Sequence, residues 1–381
     1  MKFIHLSDLH IGKRVNEYSM IKDQQYILNQ ILDIINSESP DAVIIAGDVY
    51  DRSLPPTEAV TELDDFIFKL SEGSFETFII SGNHDSAERI AFGSRIMSKS
   101  GIHLSPVYNG VVKPFTLNDE FGEVDVYMLP FIKPFYVRGA FQDISDEIVT
   151  YTDAVKVAIE KMNVDTSKRN VIVSHQFVTG AERSDSEVIS VGGTDNVDSY
   201  VYDPFDYVAL GHIHSPQNIA GTKHIRYCGT PLKYSFSETK DKSVTVVELL
   251  EKGNLTVREI PLKPMRDMRT IRGTFDEIAE AAQNDPSKDD FIRAELTDKD
   301  DVDNAMSNLK YYYPNILEMK YLRDDISYQS AAAATADVES KSPLELIEEF
   351  FKNHGLSMTD EEKNFISDFI EEIEEEKNAT D

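Results

Sequence analysis

The sequence has a single cysteine, a shortage of positive charge and no long apolar run. Cys228 cannot form an internal disulfide, which is typical of proteins in a reducing cytoplasm. No apolar run reaches the roughly eighteen residues that a membrane-spanning helix requires, so such a helix is excluded. The opening residues, MKFIHLSDLH, reach charged and polar side chains too early for a secretory signal. We therefore expect a cytoplasmic protein that does not insert into a membrane.

Positive charge is scarce overall but unevenly distributed. The net charge of −30 argues against a general electrostatic attraction to nucleic acid or to an acidic membrane. The segment from Lys223 to Arg272 nevertheless carries a net charge of +5, whereas the segment from Asp337 to Asp381 carries −11. A DNA enzyme is therefore not excluded, because the total hides a basic stretch in the middle of the chain.

The rest of the composition predicts a globular protein of two or three domains, because one core rarely organises 381 residues. Residues 1–260 alternate short apolar runs with segments of helical period, which predicts an α/β layer architecture. The strand-like runs are KFIHLS, DAVIIAG, TFIISG, VDVYMLP, RNVIVSH and DYVALGH. Helical segments include Ile21–Ile35 and Thr57–Leu70, and Gly73 is expected near the C-cap of the second.

The C-terminal third is organised differently. Met265–Arg323 follows a strand–helix–strand–helix–strand pattern that predicts a small α/β unit. Beyond a stretch with few bulky apolar residues, Ser342 and Thr359 each precede a glutamate by three positions, the spacing of a capping box. Two amphipathic helices are predicted there, whose apolar faces fold back on the body, self-associate or dock on another protein. The expected units are residues 1–262, the small unit 263–326, a flexible linker 327–341 and a helical hairpin 342–377.

Five short motifs stand where apolar runs end. They are Asp8-Leu9-His10, Gly47-Asp48, Gly82-Asn83-His84-Asp85, His175 and Gly211-His212-Ile213-His214. In open α/β sheets, ligands bind at the carboxyl ends of the strands. Asp8 and His10 are two positions apart and would point to the same side of an extended segment, and His212 and His214 repeat this spacing.

The side chains of these motifs suit divalent metal ions. Carboxylate, imidazole and amide oxygen ligands fit Mn²⁺, Fe²⁺ or Zn²⁺, and the lack of thiolate argues against a structural zinc site. The seven candidates exceed the needs of one ion, whereas two ions about 3.5–4 Å apart that share a carboxylate would use them all. Such a pair acidifies a bridging water and stabilises the transition state of phosphoryl transfer. The candidate ligands are Asp8, His10, Asp48, Asn83, His175, His212 and His214.

In this order, the five motifs resemble those of the calcineurin-like metallophosphoesterases. The resemblance implies an α/β fold in which helices flank a β-sandwich, here with a small α/β capping domain and a C-terminal helical hairpin. It implies that His84 contacts the scissile phosphate or protonates the leaving group, while Asp51 and Asp85 orient His84 or the ligands. The implied ligand sets are Asp8, His10, Asp48 and His214 for one ion, and Asp48, Asn83, His175 and His212 for the other.

Longer segments are similar to the SbcD family, the nuclease subunits of bacterial SbcCD complexes. These segments are FIHLSDLHIGK, GDVYDRSLPP, SGNHD, ALGHIHSPQ and CGTPLKYSFSE, and the resemblance covers roughly the first 325 residues. It implies manganese-dependent exonuclease activity on duplex ends, and endonuclease activity at hairpins or single strands, in DNA repair, recombination and replication. It also implies a homodimer in a heterotetramer with an SbcC-like ABC ATPase that has a coiled coil. Eukaryotic relatives carry histidine at the position of Asp51, so direct substrate contact by that residue is not carried over.

Other residues are candidates for contacts with DNA and with the partner. Four basic residues recur every three positions before and within the small unit, either as a phosphate-contacting stripe or as a solvated edge that pairs with Asp267 and Glu259. These are Lys263, Arg266, Arg269 and Arg272, and Lys13 and Arg14 are further DNA-binding candidates. The partner-binding candidates in the tail helices are Leu344, Ile347, Phe350, Phe351, Phe365, Phe369 and Ile370.

Two alternatives to a DNA nuclease remain open at this point. One is a phosphodiesterase or phosphatase that acts on a nucleotide or another small phosphoester, although such an enzyme needs no capping domain, linker or hairpin. The other is a scaffold that has lost catalysis, although all seven candidate ligands and His84 are present.

Overall fold

The computed structural model describes residues 1–185, 187, 195–219, 221–222, 224–322, 342–353, 358–359, 362–367 and 369–370. Its strands are β1 (Lys2–Leu6), β2 (Arg14–Val15), β3 (Tyr18–Ser19), β4 (Ala42–Ala46), β5 (Glu76–Ile80), β6 (Ile102–Leu104), β7 (Phe115–Asp119), β8 (Gly122–Leu129), β9 (Arg169–His175), β10 (Tyr207–Gly211), β11 (Gln217–Asn218), β12 (Ile225–Tyr227), β13 (Ser243–Leu249), β14 (Leu255–Pro261), β15 (Met268–Gly273), β16 (Phe291–Leu296) and β17 (Ile316–Tyr321). Its α-helices are α1 (Ile21–Glu38), α2 (Thr57–Ser71), α3 (Ala87–Ile90), α4 (Ser94–Met97), α5 (Pro134–Ala140), α6 (Tyr151–Met162), α7 (Phe275–Ala281), α8 (Ala305–Tyr312) and α9 (Pro343–Asn353). Short 3₁₀ turns occupy Ser98–Ser100, Gln142–Glu147 and Ser199–Tyr202.

Two six-stranded sheets form the body of the molecule. One has the order β14-β13-β1-β4-β5-β6 and the other β11-β12-β10-β9-β8-β7. In the first sheet β1, β4, β5 and β6 run parallel, and in the second β8, β9, β10 and β12 run parallel. All six predicted strand-like runs are strands of these two sheets, which confirms the α/β layer architecture.

Alternation along the strands places one apolar set between the sheets and another against the helices. Ile44 of β4 and Val173 of β9 belong to the cluster between the sheets, whereas Ile45 packs on the opposite side with Ile31 of α1. Because both faces of the central strands are covered, β4 and β9 are buried along their whole length. Helices α1 and α2 cover the first sheet, and α6 covers the second.

The two helices predicted in the first sheet are present almost as expected. Helix α1 extends three residues beyond the predicted Ile35 and ends at Glu38, and α2 ends at Ser71, one residue beyond the predicted end. The C-cap of α2 is Glu72 in a right-handed conformation, with the Gly73 amide donating to the Leu70 carbonyl, so Gly73 lies just past the cap.

The small unit has a separate core. Its three parallel strands, in the order β15-β16-β17, pack with α7 and α8 around Ile292, Ala294 and Leu309, all of them fully buried. The small unit also contacts the body, because Arg266 pairs with Asp23 of α1. Within the small unit, the Arg266 guanidinium lies 4.8 Å from the ring centroid of Phe291. The elements β15, α7, β16, α8 and β17 follow the predicted strand–helix–strand–helix–strand order.

Both predicted capping boxes in the tail are formed. The Glu345 amide donates to the Ser342 hydroxyl at the start of α9, and the Glu362 amide donates to the Thr359 hydroxyl at the start of the next helical segment. Lys363 pairs with Glu348 at 2.7 Å, which brings the two segments together. The predicted linker 327–341 lies outside the described residues. Among the described helices, none has the length and apolarity needed to cross a membrane.

Candidate metal centre

The five motifs converge at one end of the two sheets. Asp8 and His10 follow β1, Asp48 follows β4, Asn83 follows β5, and His175 ends β9. His212 and His214 follow β10. The sheets are joined here, because the His175 Nδ1–H donates to the Ala46 carbonyl at 2.7 Å and the His212 amide donates to Asp8 Oδ1 at 2.9 Å.

The backbone at these strand ends is left-handed rather than extended. Asp8, His10, Asp48 and His212 have φ values of +52°, +44°, +48° and +101°. The expectation that Asp8 and His10 share a side through strand alternation is therefore wrong, because β1 has already ended at Leu6. Left-handed non-glycine residues cost about 1–3 kcal/mol each and cluster at functional sites. Here backbone hydrogen bonds hold them, from Asp8 to the Gly47 carbonyl and from His10 to the Asp48 carbonyl, both at 3.0 Å.

One group of donor atoms lies around His10. The Nε2 atoms of His10 and His214 are 3.1 Å apart, and His10 Nε2 is 3.8 Å from Asp48 Oδ2. Asp8, His10 and His214 each place one ligand atom within 4.8 Å of the others. His10 and Asp8 are fully buried and His214 is 2% exposed, so the atoms face a pocket that bulk water does not fill.

A second group lies around His175. Its Nε2 atom is 3.2 Å from Asp48 Oδ2 and 3.0 Å from Asn83 Oδ1. The Asn83 oxygen is also 2.8 Å from His212 Nδ1. Asp48 contributes to both groups and lies between them, the position that a bridging carboxylate would take.

Burial and neighbouring charges shift the pKa values of the carboxylates and imidazoles in the pocket. Burial lowers the pKa of His10 and of His212, so both rings are neutral at pH 7. Burial raises the pKa of Asp8. Burial also disfavours the charge on Asp48, but His175, His84 and His10 together outweigh burial and hold the pKa of that carboxyl well below its usual range. The pocket thus brings carboxylates and neutral imidazoles together, the protonation states in which these side chains bind a metal ion.

This donor set fits divalent metal ions. The Nε2 atoms of His10 and His214 are 3.1 Å apart, so one cation could contact both. The described ligands are oxygen and nitrogen atoms, which suit borderline-hard ions. The residues therefore support a divalent metal site.

His84 lies at the edge of these groups, with its orientation fixed. Its amide donates to Asp48 Oδ1 at 2.9 Å, and its ring Nδ1 is 2.9 Å from the Asp51 carbonyl oxygen. A proton on Nδ1 would therefore be donated to that carbonyl, which leaves Nε2 for the substrate. Asp85 does not approach His84 through its carboxylate, which instead accepts from the amides of Val49, Tyr50 and Gly82. It stabilises the two loops that carry Asp48 and Asn83.

Comparison with known proteins identifies the family. Residues 1–216 match the model of the calcineurin-like phosphoesterases, and residues 264–355 match SbcD_C, described as the type 5 capsule protein repressor C-terminal domain. An SbcD subunit of the nuclease SbcCD from Staphylococcus epidermidis is 32% identical over 95% of this chain and 94% of that protein. The chain belongs to the SbcD family. The corresponding SbcCD nuclease subunit from Staphylococcus saprophyticus is 36% identical over 84% of each chain.

Among solved structures, a dimetal phosphatase from Danio rerio aligns with this SbcD-family chain at a TM-score of 0.41 and 11% identity. The alignment covers 70% of this chain and 98% of that one.

The basic residues predicted to contact DNA occupy different settings in this SbcD-family chain. Lys13 pairs with Asp51 at 2.7 Å, beside His10, and Arg14 donates to the Glu17 carbonyl. Lys263 and Arg272 are exposed.

Arg266 and Arg269 are engaged within the protein. Arg269 pairs with Asp285 and with Asp290, and Arg266 pairs with Asp23. The acids expected as partners pair elsewhere, Asp267 with Lys233 and Glu259 with Arg226, so that expected pairing is wrong. Arg269 and Arg272 are three apart on β15, where alternation places them on opposite faces, so the four residues form no continuous stripe. DNA contact by individual members stays a prediction.

Sequence reasoning missed Glu238, which lies behind the candidate ligand His214. Glu238 Oε1 is 3.5 Å from His214 Nδ1, and the carboxylate also pairs with Lys242 and accepts from the Tyr234 amide at 3.1 Å. Burial disfavours its charge, but Lys242 and His214 lower the pKa of Glu238 to about 2. Such a carboxylate fixes the ring orientation and tautomer of a metal-binding histidine. Glu238 ends the segment CGTPLKYSFSE, but nothing in its spacing from His214 indicates the contact.

Proposed function

We propose that this chain is a two-metal DNA nuclease that hydrolyses phosphodiester bonds, degrading duplexes from their ends and cutting hairpins and single strands. The observation that carries the proposal is the pair of ligand groups joined by Asp48, with His84 beside them, in a chain of the SbcD family. The proposed ions are Mn²⁺, which the resemblance to the SbcD family implies and which carboxylate, imidazole and amide ligands allow. Repair, recombination and replication of DNA are the processes in which it would act, in the cytoplasm.

The residues have separate roles in the proposed reaction. Ions held by Asp8, His10, Asp48 and His214, and by Asp48, Asn83, His175 and His212, would supply a hydroxide nucleophile and neutralise the phosphate. His84 would protonate the departing ribose oxygen through Nε2, since Nδ1 faces the Asp51 carbonyl. The Asp85 carboxylate and the Asp51 carbonyl would hold the loops and the ring in position.

We propose four functional parts along the chain. Residues 1–262 would form the nuclease domain and residues 263–326 a cap that contacts DNA, with exposed Lys263 and Arg272 as the leading phosphate contacts. Residues 327–341 would be a linker, and the hairpin 342–377 would bind an SbcC-like ATPase. Both relatives are named as subunits of SbcCD, which supports this partner.

A homodimer within a heterotetramer is also proposed. Helix α2 and the segment after α3 expose apolar side chains, with Val60 at 45% and Phe92 at 82% exposure, and both line one groove. A second copy of the chain would cover this apolar surface.

The small-phosphoester alternative is less well supported, because it leaves the cap and the hairpin without a role. The scaffold alternative is opposed by the close packing of all seven candidate ligands.

The experiment that tests the function is manganese-dependent degradation of a linear duplex by the wild-type chain and by Asp48→Ala and His84→Ala. Asp48→Ala should lose binding of both ions and all cleavage, because Asp48 lies between the two groups. His84→Ala should bind Mn²⁺ like the wild type in calorimetry but cleave roughly 10²–10⁴-fold more slowly, the usual contribution of general acid catalysis. Wild-type cleavage by His84→Ala would refute the role of His84. If the wild type stayed inactive even with the ATPase added, the small-phosphoester alternative would be favoured.

A further inference from the structure

A cavity of about 520 Å³ opens beside the second ligand group. Gly82 and Asn83 form one of its walls, and the Asn83 side chain touches His175 and His212 on its other side. Any molecule in the cavity would therefore lie next to a phosphate held between the two ligand groups. None of the residues proposed above to bind DNA lines it.

Aromatic and apolar side chains also line the cavity. Phe131 has its ring centroid 6.3 Å from that of His175, and Tyr108 and Tyr136 line the same cavity with Leu54. Leu54 and Tyr136 are 41% and 40% exposed, so the rim presents apolar surface to solvent. A flat apolar molecule would bury this surface.

The aromatic platform is rigid. The Phe131 amide donates to the Ser81 carbonyl at 2.9 Å, at the end of β5. The next residue, Ile132, is fully buried, and its carbonyl accepts from the Gln176 side chain at 3.1 Å. Because the backbone of Phe131 and of Ile132 is hydrogen-bonded to both sheets, little conformational entropy is lost when a ligand stacks on the Phe131 ring.

The side chains that line the cavity carry no net charge, which favours a neutral ligand over a phosphate. Its acidic and basic side chains are Asp85, Glu88, Arg89 and Lys133, whose formal charges cancel at pH 7. Asn83 and Ser86 also line the cavity, so it offers polar groups to a neutral ligand. A flat, neutral molecule with polar edges fits these features.

We infer that this cavity receives the base of a nucleotide adjoining the scissile phosphate, with Phe131 and Tyr136 as its aromatic walls. The inference rests on the proposed nuclease function. A base is joined to its phosphate through one sugar, so a phosphate between the ligand groups places that base next to Asn83. Stacking is tolerant of sequence, because every base has an aromatic face. The cavity would thus hold DNA without selecting its sequence.

The test compares oligonucleotides that carry all bases with oligonucleotides that lack the base on one or the other side of the cleaved bond. Loss of the base at one of these positions should slow wild-type cleavage about 10-fold, and in Phe131→Ala and Tyr136→Ala this ratio should fall to within about 2-fold of unity. The matched control is Phe68→Ala, since Phe68 is 62% exposed and does not line the cavity. It should keep the wild-type ratio.

A binding measurement separates stacking from catalysis. With Ca²⁺ in place of Mn²⁺, a 2-aminopurine base at the sensitive position should lose fluorescence on binding the wild type and regain most of it with Phe131→Ala. Equal wild-type rates on all the oligonucleotides together with unquenched 2-aminopurine would overturn the inference and leave the nuclease function standing. Failure of the wild type to cleave any of them would instead count against the nuclease function.

Discussion

Glu238 is a buried carboxylate whose charge has two uses. It pairs with Lys242, which is itself 6% exposed and also donates to the His214 carbonyl at 2.8 Å. It also faces the ring of His214, whose opposite nitrogen points toward His10. Glu238 thus positions the ring of His214 directly and the backbone of His214 through Lys242.

Glu238→Gln should weaken Mn²⁺ binding by about 10-fold, because an amide is a poorer acceptor for His214 Nδ1–H and lowers the basicity of the ring. Isothermal titration calorimetry on the isolated chain would measure the affinity, and circular dichroism would verify the fold. Glu120 is exposed and makes a matched control, so Glu120→Gln should bind Mn²⁺ like the wild type. Unchanged affinity in Glu238→Gln would mean that Glu238 serves only to neutralise Lys242.

At this scale the sequence predicts the candidate ligands but not their support. Strand ends identify Asp8, Asp48 and His175, because apolar runs that stop at polar residues are visible in one sequence. The left-handed backbone at Asp8 is not visible, since it depends on a hydrogen bond to Gly47 in a neighbouring strand end. Glu238 stays hidden for the same reason, as its contact with His214 is made in three dimensions.

The two sheets approach each other closely where β10 passes β4. A methyl group on Gly211 would lie 1.9 Å from the Ala46 carbonyl oxygen and 2.7 Å from His175 Nδ1. The same carbonyl accepts from His175, so glycine at this position lets β10 pass beside that hydrogen bond. The clash involves backbone, which cannot rotate away.

Gly211→Ala should lower the free energy of unfolding by about 3 kcal/mol, the upper range for overpacking a core, and should weaken metal binding because His175 must move. Urea denaturation followed by circular dichroism would measure the change. Gly139, in α5, offers a matched control, since a methyl group there meets nothing within 4 Å. Gly139→Ala should be neutral or slightly stabilising, as alanine favours helices. Equal stability of the two variants would contradict the close approach.

Strands with continuous apolar residues are predictable from one sequence, whereas β13, buried but with polar residues among its apolar ones, and short edge strands are less so. The six predicted runs include β4, β9 and β10, whose apolar residues are continuous. They leave out β13, although its SVTVVEL is rich in β-branched residues, and they leave out edge strands such as the two-residue β11. A strand that short exists only because a neighbour supplies its hydrogen bonds, so its own sequence carries little signal.

At the scale of the whole molecule, the candidate metal centre and the proposed ATPase-binding hairpin lie in separate parts of the chain. The candidate ligands all belong to the body, whereas the cap packs around its own core of Ile292, Ala294 and Leu309. The hairpin begins at Ser342, beyond the last described cap residue, Leu322. Its second segment exposes Phe365 and Phe369 at 73% and 54%.

Ending the chain after Asp337 should leave manganese-dependent cleavage of a linear duplex within about 2-fold of the full-length rate and abolish co-purification with the SbcC-like ATPase. The first result is expected because no candidate ligand is removed, and the second because exposed aromatic side chains supply much of the binding energy at interfaces.

A full-length Phe365→Glu/Phe369→Glu variant would separate loss of the apolar surface from loss of the segment. Both side chains are exposed, so the fold should survive, while a charge in a desolvated interface should weaken the complex at least 100-fold. Phe68→Glu is the matched control, since Phe68 is 62% exposed on α2 of the body. ATPase binding by the truncated chain would place the docking surface on the body or the cap. Binding by the double variant but not by the truncated chain would place the docking surface elsewhere on the tail.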